Sequence, residues 1–264
     1  MRLGVNTVLF KPFPVREALE CIRLAGYDGV ELSAIKGMCE HLVLDDWKNS
    51  AEPIKAAAAE IGVELLSMEV ASLDEDRLTK AFEAARFLGV PVVNVGPGGK
   101  TDVAEDWDVC IETLAARAAL AAKYGVTLCC KAHVNCAIYS TPTTLRAMDA
   151  IPNGAFGVDM DPSHIYRAGE KPEEALAQVV SRVRHIHIRD CKGMGSSPGT
   201  PALQACGRGD INLYGYFKAL ADAKYEGPVC LEVIGPELTM AEAVAIASES
   251  YGYMNACLKM LGAR

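Results

Sequence analysis

Short runs of apolar residues alternate with longer amphipathic segments from one end of the chain to the other. Each apolar run is about four to eight residues long, which is typical of a buried strand, and the segments between the runs carry apolar residues at helical spacing. A glycine follows several of these segments, as expected where a helix ends in a left-handed residue. The pattern therefore predicts eight consecutive strand–helix units.

The predicted strands cover residues 3–7, 29–32, 63–70, 91–96, 126–133, 157–161, 183–190 and 229–234. The predicted helices cover residues 14–24, 46–61, 74–88, 103–124, 141–150, 171–182, 212–223 and 239–261. Helical connections of this length require parallel strands. Eight such units in 264 residues fit a closed (β/α)8 TIM barrel better than an open doubly wound sheet, and no GxGxxG motif follows the first strand. We therefore expect one α/β domain, a single TIM barrel, over residues 1–264.

The composition is that of a compact protein, and it argues against two classes of partner. Half of the residues are hydrophobic and 23% are charged, which allows a large buried core. The net charge of −8 argues against binding to nucleic acid, because a phosphate backbone requires clustered Lys and Arg side chains. No stretch reaches the roughly 20 apolar residues of a membrane helix, and the N-terminus begins as a strand without a basic leader. We expect a cytoplasmic protein with no nucleic-acid or membrane partner.

Ten cysteines are spread through the chain, and no CxxC pair is present. Several of them lie inside apolar runs, for example Cys129, Cys130 and Cys230. We interpret them as reduced core thiols, and their spacing argues against a structural zinc site of the CxxC type.

Polar residues occur at or near the C-terminal end of every predicted strand, which is the end where TIM barrels carry their reacting groups. They are Asn6, Glu31, Glu69, Asn94, Lys131, Asp161, His187 and Glu232. For Glu69 and Asn94, a helix cap or a loop salt bridge is the simpler interpretation. The last four lie on adjacent strands, and because burying unpaired charges is costly, we interpret them as one shared site.

The strand at 183–190, VRHIHIRD, contributes two histidines to this end of the barrel. Side chains alternate across a strand, so His185, His187 and Arg189 share one face. His187 is nearer to the C-terminal end and is the predicted metal ligand, whereas His185 is one layer deeper and is expected to pack. Together with Asp161 and Glu232, His187 forms an oxygen–nitrogen–oxygen set that suits Mn, Mg, Co or Zn.

Three further residues are predicted to bind substrate. His164 follows Asp161 by three residues in the sequence DPSH and is placed to touch a substrate hydroxyl group. His133 in KAHVN is a second candidate, and Glu31 is the third.

Four segments in order resemble the xylose isomerase-like barrels, the sugar phosphate isomerase/epimerase superfamily. They are DPSH at 161–164, HIHIRD at 185–190, GRGDINLYGYFKAL at 207–220 and YEGPVCLEV at 225–233. GYDGVEL at 26–32 also resembles the second strand of that superfamily. The resemblance covers nearly the whole chain and implies the barrel fold and carbohydrate chemistry.

The resemblance also implies a ligand set. In the tagatose- and psicose-type epimerases of the superfamily, Glu, Asp, His and Glu from strands five to eight hold one metal ion, and the two glutamates exchange the proton. By position, Asp161, His187 and Glu232 match the last three ligands. The glutamate of the fifth strand falls on Lys131, where the family would read something like EPHV instead of KAHV.

Lys131 changes the expected chemistry because a protonated amine offers no lone pair and repels a dication. At about 4 Å and an effective dielectric constant near 20, one unit-charge pair is worth roughly 4 kcal/mol, and a dication doubles this. Three arrangements remain open. In the first, a metal ion is held by three ligands and water, and Lys131 is turned towards the substrate. In the second, the ammonium group of Lys131 replaces the ion, and in the third, Lys131 has a lowered pKa and acts as a base or Schiff-base amine. Retention of His187 favours a metal.

The expected function is therefore proton abstraction next to the carbonyl group of a keto-sugar or polyol, assisted by a divalent metal ion. Glu232 or Lys131 would move the proton, giving isomerisation, epimerisation or β-elimination. The alternative is a metal-free or degenerate barrel that uses Lys131 as a lyase or dehydratase, or only binds a sugar. The superfamily also contains abasic-site endonucleases, which the acidic chain and its five histidines disfavour. A homo-oligomer is an open alternative.

Overall fold

The barrel closes through eight parallel strands in the computed structural model, which describes residues 1–264. They are β1 (Arg2–Asn6), β2 (Gly29–Ile35), β3 (Glu64–Glu69), β4 (Val92–Val95), β5 (Thr127–Lys131), β6 (Phe156–Met160), β7 (Val183–Ile188) and β8 (Pro228–Leu231). Each strand pairs with the next one along the chain, and β8 pairs with β1. The predicted (β/α)8 TIM barrel is confirmed.

Nine helices surround the strands. They are α1 (Val15–Ala25), α2 (Trp47–Ile61), α3 (Glu75–Leu88), α4 (Ala104–Tyr124), α5 (Thr141–Ala150), α6 (Pro162–Arg167), α7 (Pro172–Val179), α8 (Leu213–Asp222) and α9 (Met240–Met260). One continuous apolar core joins the strands to the helices. No helix combines the length and the apolar character that crossing a membrane requires.

One strand and one α-helix were absent from the sequence prediction. The two-residue strand Cys39–Glu40 pairs antiparallel with the end of β2, which continues to Ile35 rather than ending at residue 32. The short helix α6 follows β6 because the Asp161 side chain accepts a hydrogen bond from the Ser163 N–H and Pro162 occupies the first turn. The helix predicted over 171–182 ends as α7 followed by a short 3-10 turn.

The interior of the barrel is polar near the C-terminal ends of the strands. Glu31 on β2 contacts Asn94 on β4 and His187 on β7, and neither strand is a neighbour of β2. Contacts between such strands pass through the barrel interior. The strand pairing is irregular between Val30 and Glu31 and again between Val158 and Asp159, where this polar layer begins.

Gly29 lies where β2 passes close to β3, and a Cβ atom there would overlap the Glu64 carbonyl oxygen. We expect Gly29→Ala to lower the free energy of unfolding by about 1–3 kcal/mol, because the backbone must shift to relieve the clash. Urea denaturation measures this effect. Gly154→Ala is the matched control, since a Cβ atom there meets nothing within 4 Å. Equal stability of the two variants would contradict the close strand approach.

Candidate active site

A layer of buried carboxylates and histidines forms the base of the site. Asp159 Oδ1 accepts a hydrogen bond from the backbone N–H of His187 at 2.9 Å and lies 3.0 Å from His185 Nδ1. Asp159 Oδ2 lies 2.6 Å from His187 Nδ1. On the other side of the ring, His187 Nε2 contacts Glu31 Oε2. His187 is therefore held between two carboxylates.

These carboxylates keep His187 charged. Burial alone would lower the pKa of His187, but Asp159 and Glu31 outweigh burial and raise its pKa well above the usual range. In return, His187 and His185 hold the pKa of Asp159 well below its usual range in spite of burial. A protonated imidazole donates from both ring nitrogens and has no lone pair for a metal ion.

Lys131 reaches into the layer above from the end of β5. Its Nζ donates hydrogen bonds to Glu232 Oε1 at 2.9 Å and to Oε2 at 3.0 Å. It also lies 3.3 Å from Glu69 Oε1 and 3.2 Å from His187 Nδ1. Burial alone would lower the pKa of Lys131, but Glu232 and Glu69 raise it above its ordinary value. Lys131 is an ammonium ion at the centre of the site.

Glu69 and Glu232 contact the same ammonium group but differ in their affinity for protons. Burial and the nearby Glu232 raise the pKa of Glu69 to about 7, although Lys131 and His187 oppose the shift. Burial also acts on Glu232, but Lys131 and Arg189 hold its pKa well below the usual range. Glu69 Oε2 accepts a hydrogen bond of 2.6 Å from the Asn6 amide. Near neutral pH, both protonation states of Glu69 are therefore populated, whereas Glu232 is ionised.

Arg189 brings a second buried cation to Glu232. Its Nη1 lies 3.2 Å from Glu232 Oε2, while Nη2 donates to Asp161 Oδ2 at 2.7 Å and Nε donates to Ser163 Oγ at 2.9 Å. Burial alone would lower the pKa of Arg189, but Asp161 and Glu232 raise it. Asp161 is thus occupied by a guanidinium group on one oxygen and by the start of α6 on the other.

Two histidine rings pack against each other beside this pair, with centroids 4.0 Å apart and planes tilted by 39°. His164 lies beneath, with Nε2 3.0 Å from Arg189 and Nδ1 3.0 Å from Arg167. Burial and the nearby guanidinium groups lower the pKa of His164 well below its usual range, so its ring is neutral. His133 lies above it, and its Nδ1 is 2.9 Å from the Val134 carbonyl oxygen.

A cleft of about 390 Å³ opens over these groups. Its polar lining comes from Glu69, Lys131, His133, Arg189 and Glu232, together with the Cys136 thiol. Its apolar walls are formed by Ile35, Met38, Ala71, Leu73, Pro97 and Ile234. The volume suits one small organic molecule, which would meet both charged and apolar groups in the cleft.

Two groups of side chains have potential metal-ligand atoms within 4.8 Å of one another: Glu31, His185 and His187, and Glu69, His187 and Glu232. Asp161 belongs to neither group. Lys131 Nζ lies within 3.3 Å of all three members of the second group. Both groups include His187, whose two ring nitrogens already contact Asp159 and Glu31. The second group also surrounds the ammonium ion of Lys131. The side chains of these groups therefore do not fit a dication while Lys131 is charged.

The structure brings together only part of the predicted site. Lys131, His133 and Glu232 line the cleft. Asp161, His164, His187 and Glu31 are buried behind it and do not belong to its lining.

Three residues of the site had no predicted catalytic or binding role: Glu69, Asp159 and Arg189. Arg189 shares the strand face of His187, and Asp159 shares that of Asp161, so alternation was the available signal. Glu69 stood among the strand-end residues but was interpreted as a cap or loop salt bridge.

Comparison with known proteins relates this chain to a known family. A family model described as xylose isomerase-like TIM barrel matches residues 19–257. The inosose dehydratase of Clostridium perfringens is 28% identical over 142 residues, which is 48% of this chain and 47% of that protein. The chain thus spans about half the length of the curated relatives it matches.

Two solved structures share the fold over nearly the whole chain. The IOLI protein with a bound zinc atom has a TM-score of 0.80 and 20% identity, and the match covers 98% of this chain and 99% of that one. The D-psicose 3-epimerase of Clostridium cellulolyticum H10, solved with D-tagatose, has a TM-score of 0.79 and 17% identity, with 98% and 99% coverage. At these identities the likeness establishes the fold alone.

Proposed function

The chain belongs to the family of xylose isomerase-like TIM barrels, and on that premise we propose that it is an enzyme that removes a proton next to the carbonyl group of a small sugar-like ketone. The observation that carries this proposal is Glu69, which lines the cleft beside Lys131 and has a pKa of about 7. A general base acts best when its pKa is near the working pH. Isomerisation, epimerisation and dehydration of such ketones share this first step.

Glu69 is the group to which we assign the proton transfer. The sequence pattern pointed to Glu232 or Lys131 as the group that moves the proton. However, the pKa of Glu232 is lowered and that of Lys131 is raised, so neither group changes its protonation state near neutral pH. Lys131 faces the carbonyl oxygen in our proposal, and Glu232 holds Lys131 in place. No step is assigned to a metal ion, because the donors that would hold one surround Lys131.

The predicted substrate-binding residues keep different roles in this proposal. His133 lines the cleft and is our candidate for contact with a substrate hydroxyl group. His164 supports His133 through the contact between their rings, which are tilted by 39° with centroids 4.0 Å apart. Glu31 is fully buried and acts on the site through His187 and through the Asn6 amide, which donates to both Glu31 and Glu69.

Exchange of hydrogen with solvent tests the proposal. The protein is incubated in D₂O with a panel of keto-hexoses, keto-pentoses and inososes, and deuterium next to the carbonyl group is followed by NMR. We expect incorporation into at least one ketone above the rate without enzyme. No incorporation into any member of the panel would contradict the proposed function.

The products of the same incubations identify the reaction. Loss of water gives an unsaturated ketone that absorbs in the ultraviolet, whereas isomerisation or epimerisation keeps the substrate mass. The partial match to inosose dehydratases favours dehydration. The fold shared with the D-psicose 3-epimerase is equally compatible with epimerisation.

The pH dependence of exchange follows from Glu69. The carboxyl group must be deprotonated to accept a proton, so we expect the rate to rise with pH through about 7 and to level off above it. A carboxyl group with its ordinary pKa of 4.5 would give a flat rate across the neutral range. A flat profile would therefore contradict the assignment of Glu69, and a pH–rate series on the exchange reaction measures it.

A further inference from the structure

We propose that the ammonium group of Lys131 and the guanidinium group of Arg189 take the place of a metal ion and form an oxyanion site for the substrate carbonyl oxygen. This inference rests on the proposed function and specifies how the charge that develops on the substrate is stabilised. It predicts a site that works without a divalent cation.

The first observation is the position of Lys131. Its Nζ donates hydrogen bonds to Glu232 and Glu69 and lies 3.2 Å from His187 Nδ1, and the ligand atoms of these three side chains form one of the two compact groups in the barrel. The side chain is only 6% exposed, yet it lines the cleft. A dication among these three side chains would lie against the ammonium group, so Lys131 excludes it and supplies positive charge in its place.

The second observation is an unused donor on Arg189. The Nε and Nη2 groups donate to Ser163 and Asp161, but the buried Nη1 group makes no hydrogen bond, although Glu232 Oε2 lies 3.2 Å away. The side chain is 1% exposed and lines the cleft. A buried donor without an acceptor is costly and uncommon, and an oxygen atom of a ligand would satisfy it.

Glu232 places the two cations side by side. Both of its oxygens lie within 3.0 Å of Lys131 Nζ, and Oε2 lies 3.2 Å from Arg189 Nη1. Two neighbouring unit charges equal the charge of a divalent ion. Donors held in a buried site before the reaction begins stabilise a developing oxyanion more effectively than donors in water.

The step balances without an oxidant or a cofactor. Glu69 takes the proton from carbon, and the electron pair of the broken C–H bond forms the new C=C bond. The electrons of the carbonyl π bond move to oxygen, which becomes an enolate oxyanion beside Lys131 Nζ and Arg189 Nη1. Glu69 then returns the proton to carbon, or gives it to a hydroxyl group on the neighbouring carbon. In the second case the C–O bond breaks, the hydroxyl group leaves as water, and the enolate electrons re-form the C=O bond and make the C=C bond of the product.

Metal titration of the wild-type protein is the first test. After removal of metals with EDTA, calorimetric titration with Zn²⁺ and with Mn²⁺ is expected to show no binding in the micromolar range. Deuterium exchange is expected to proceed at the same rate with and without EDTA. The proposal would be overturned if the wild type bound either ion and Glu232→Gln weakened that binding. It would also be overturned if deuterium exchange required added metal.

The second test converts the cation into a ligand. Lys131→Glu changes the local charge by two units and adds a carboxylate to the group of Glu69, His187 and Glu232. We expect its affinity for Mn²⁺ or Zn²⁺ to exceed that of the wild type by on the order of a thousandfold, with a rise in thermal stability on adding metal. Lys218→Glu, on the outer helix α8, makes the same charge change on an exposed side chain and is expected to bind no better than the wild type. Equal affinity of the two variants would overturn the proposal.

The third test probes the oxyanion site directly. Glycolohydroxamate has the planar shape of an enediol, and in EDTA it is expected to bind the wild type and to bind Arg189→Lys at least about tenfold more weakly, the loss of one charge-assisted hydrogen bond. Arg16→Lys, an exposed arginine paired with Glu60, is the matched control. Equal affinity in wild type and Arg189→Lys, or binding only in the presence of metal, would overturn the proposal.

These outcomes separate the inference from the proposed function. Metal-dependent exchange would overturn the inference and support the proposed function. Absence of exchange on every ketone would contradict the proposed function, and the metal and glycolohydroxamate titrations would then decide the inference alone.

Discussion

Glu69→Gln is expected to slow hydrogen exchange next to the substrate carbonyl group by about 10²–10⁴-fold, the usual contribution of a positioned general base. The amide cannot take a proton, and it cannot offer an oxygen to both Asn6 and Lys131, which the carboxylate contacts through its two oxygens. NMR in D₂O on the best ketone of the panel gives the two rates.

Glu64→Gln is the matched control for this variant. Glu64 begins the strand that Glu69 ends, so it lies at the opposite end of the barrel, half-exposed and paired with Arg2. Its exchange rate is expected to equal that of the wild type. If Glu69→Gln retained a wild-type rate, another group would have to move the proton.

Lys131→Met is expected to lower the free energy of unfolding by about 3–5 kcal/mol at neutral pH, because it removes the ammonium group from Glu69 and leaves Glu232 with Arg189 as its one remaining cation. Glu69 and Glu232 are 4% and 3% exposed, so water cannot replace the ammonium group. Urea denaturation measures the effect, with Lys218→Met on α8 as the exposed control.

The loss of stability in Lys131→Met is expected to depend on pH in a defined direction. Without the ammonium group, the pKa of Glu69 in the folded protein rises further above the unfolded value of 4.5, and the pKa of Glu232 rises from its position well below that value. The folded variant then binds more protons than the folded wild type, so the deficit grows as pH rises and shrinks as pH falls into the acid range. A small deficit that does not change with pH would show that Lys131 does not compensate these carboxylates.

The fold was predictable from the chain because its units are local. Each apolar run and each amphipathic segment carries its own period, and the glycines that end α1 and α4 adopt φ values of 106° and 71°. The strand-end rule then identified Lys131 and Glu232, which the structure places in contact. The sequence does not show which side chain pairs with each buried charge, because the two members of a pair lie on strands that are far apart in the chain.

Three residues show why the rest of the site escaped prediction. Glu69 looked like a cap because its contacts, to Asn6 and Lys131, each lie more than 60 positions away in the chain. Asp159 lies opposite His185 because the pairing of the two strands skips one residue. Val158 pairs with Val183, Asp159 pairs with His185, and Arg184 between them has no partner. The alternation of side chains along one strand does not reveal such a shift in register. Asp161 matched a ligand pattern, yet in the structure it begins α6 and pairs with Arg189.

The charged network of the barrel also constrains the order in which the chain folds. Glu31 and His187 are 156 residues apart, and Lys131 and Glu232 are 101 apart. Such long loops must close before either contact forms. A nascent or partly folded chain must keep these charges hydrated until β8 brings Glu232 into place. Dehydration of the barrel interior is therefore expected to be among the last events of folding, and a chain truncated before β8 is expected to keep an open, wet interior.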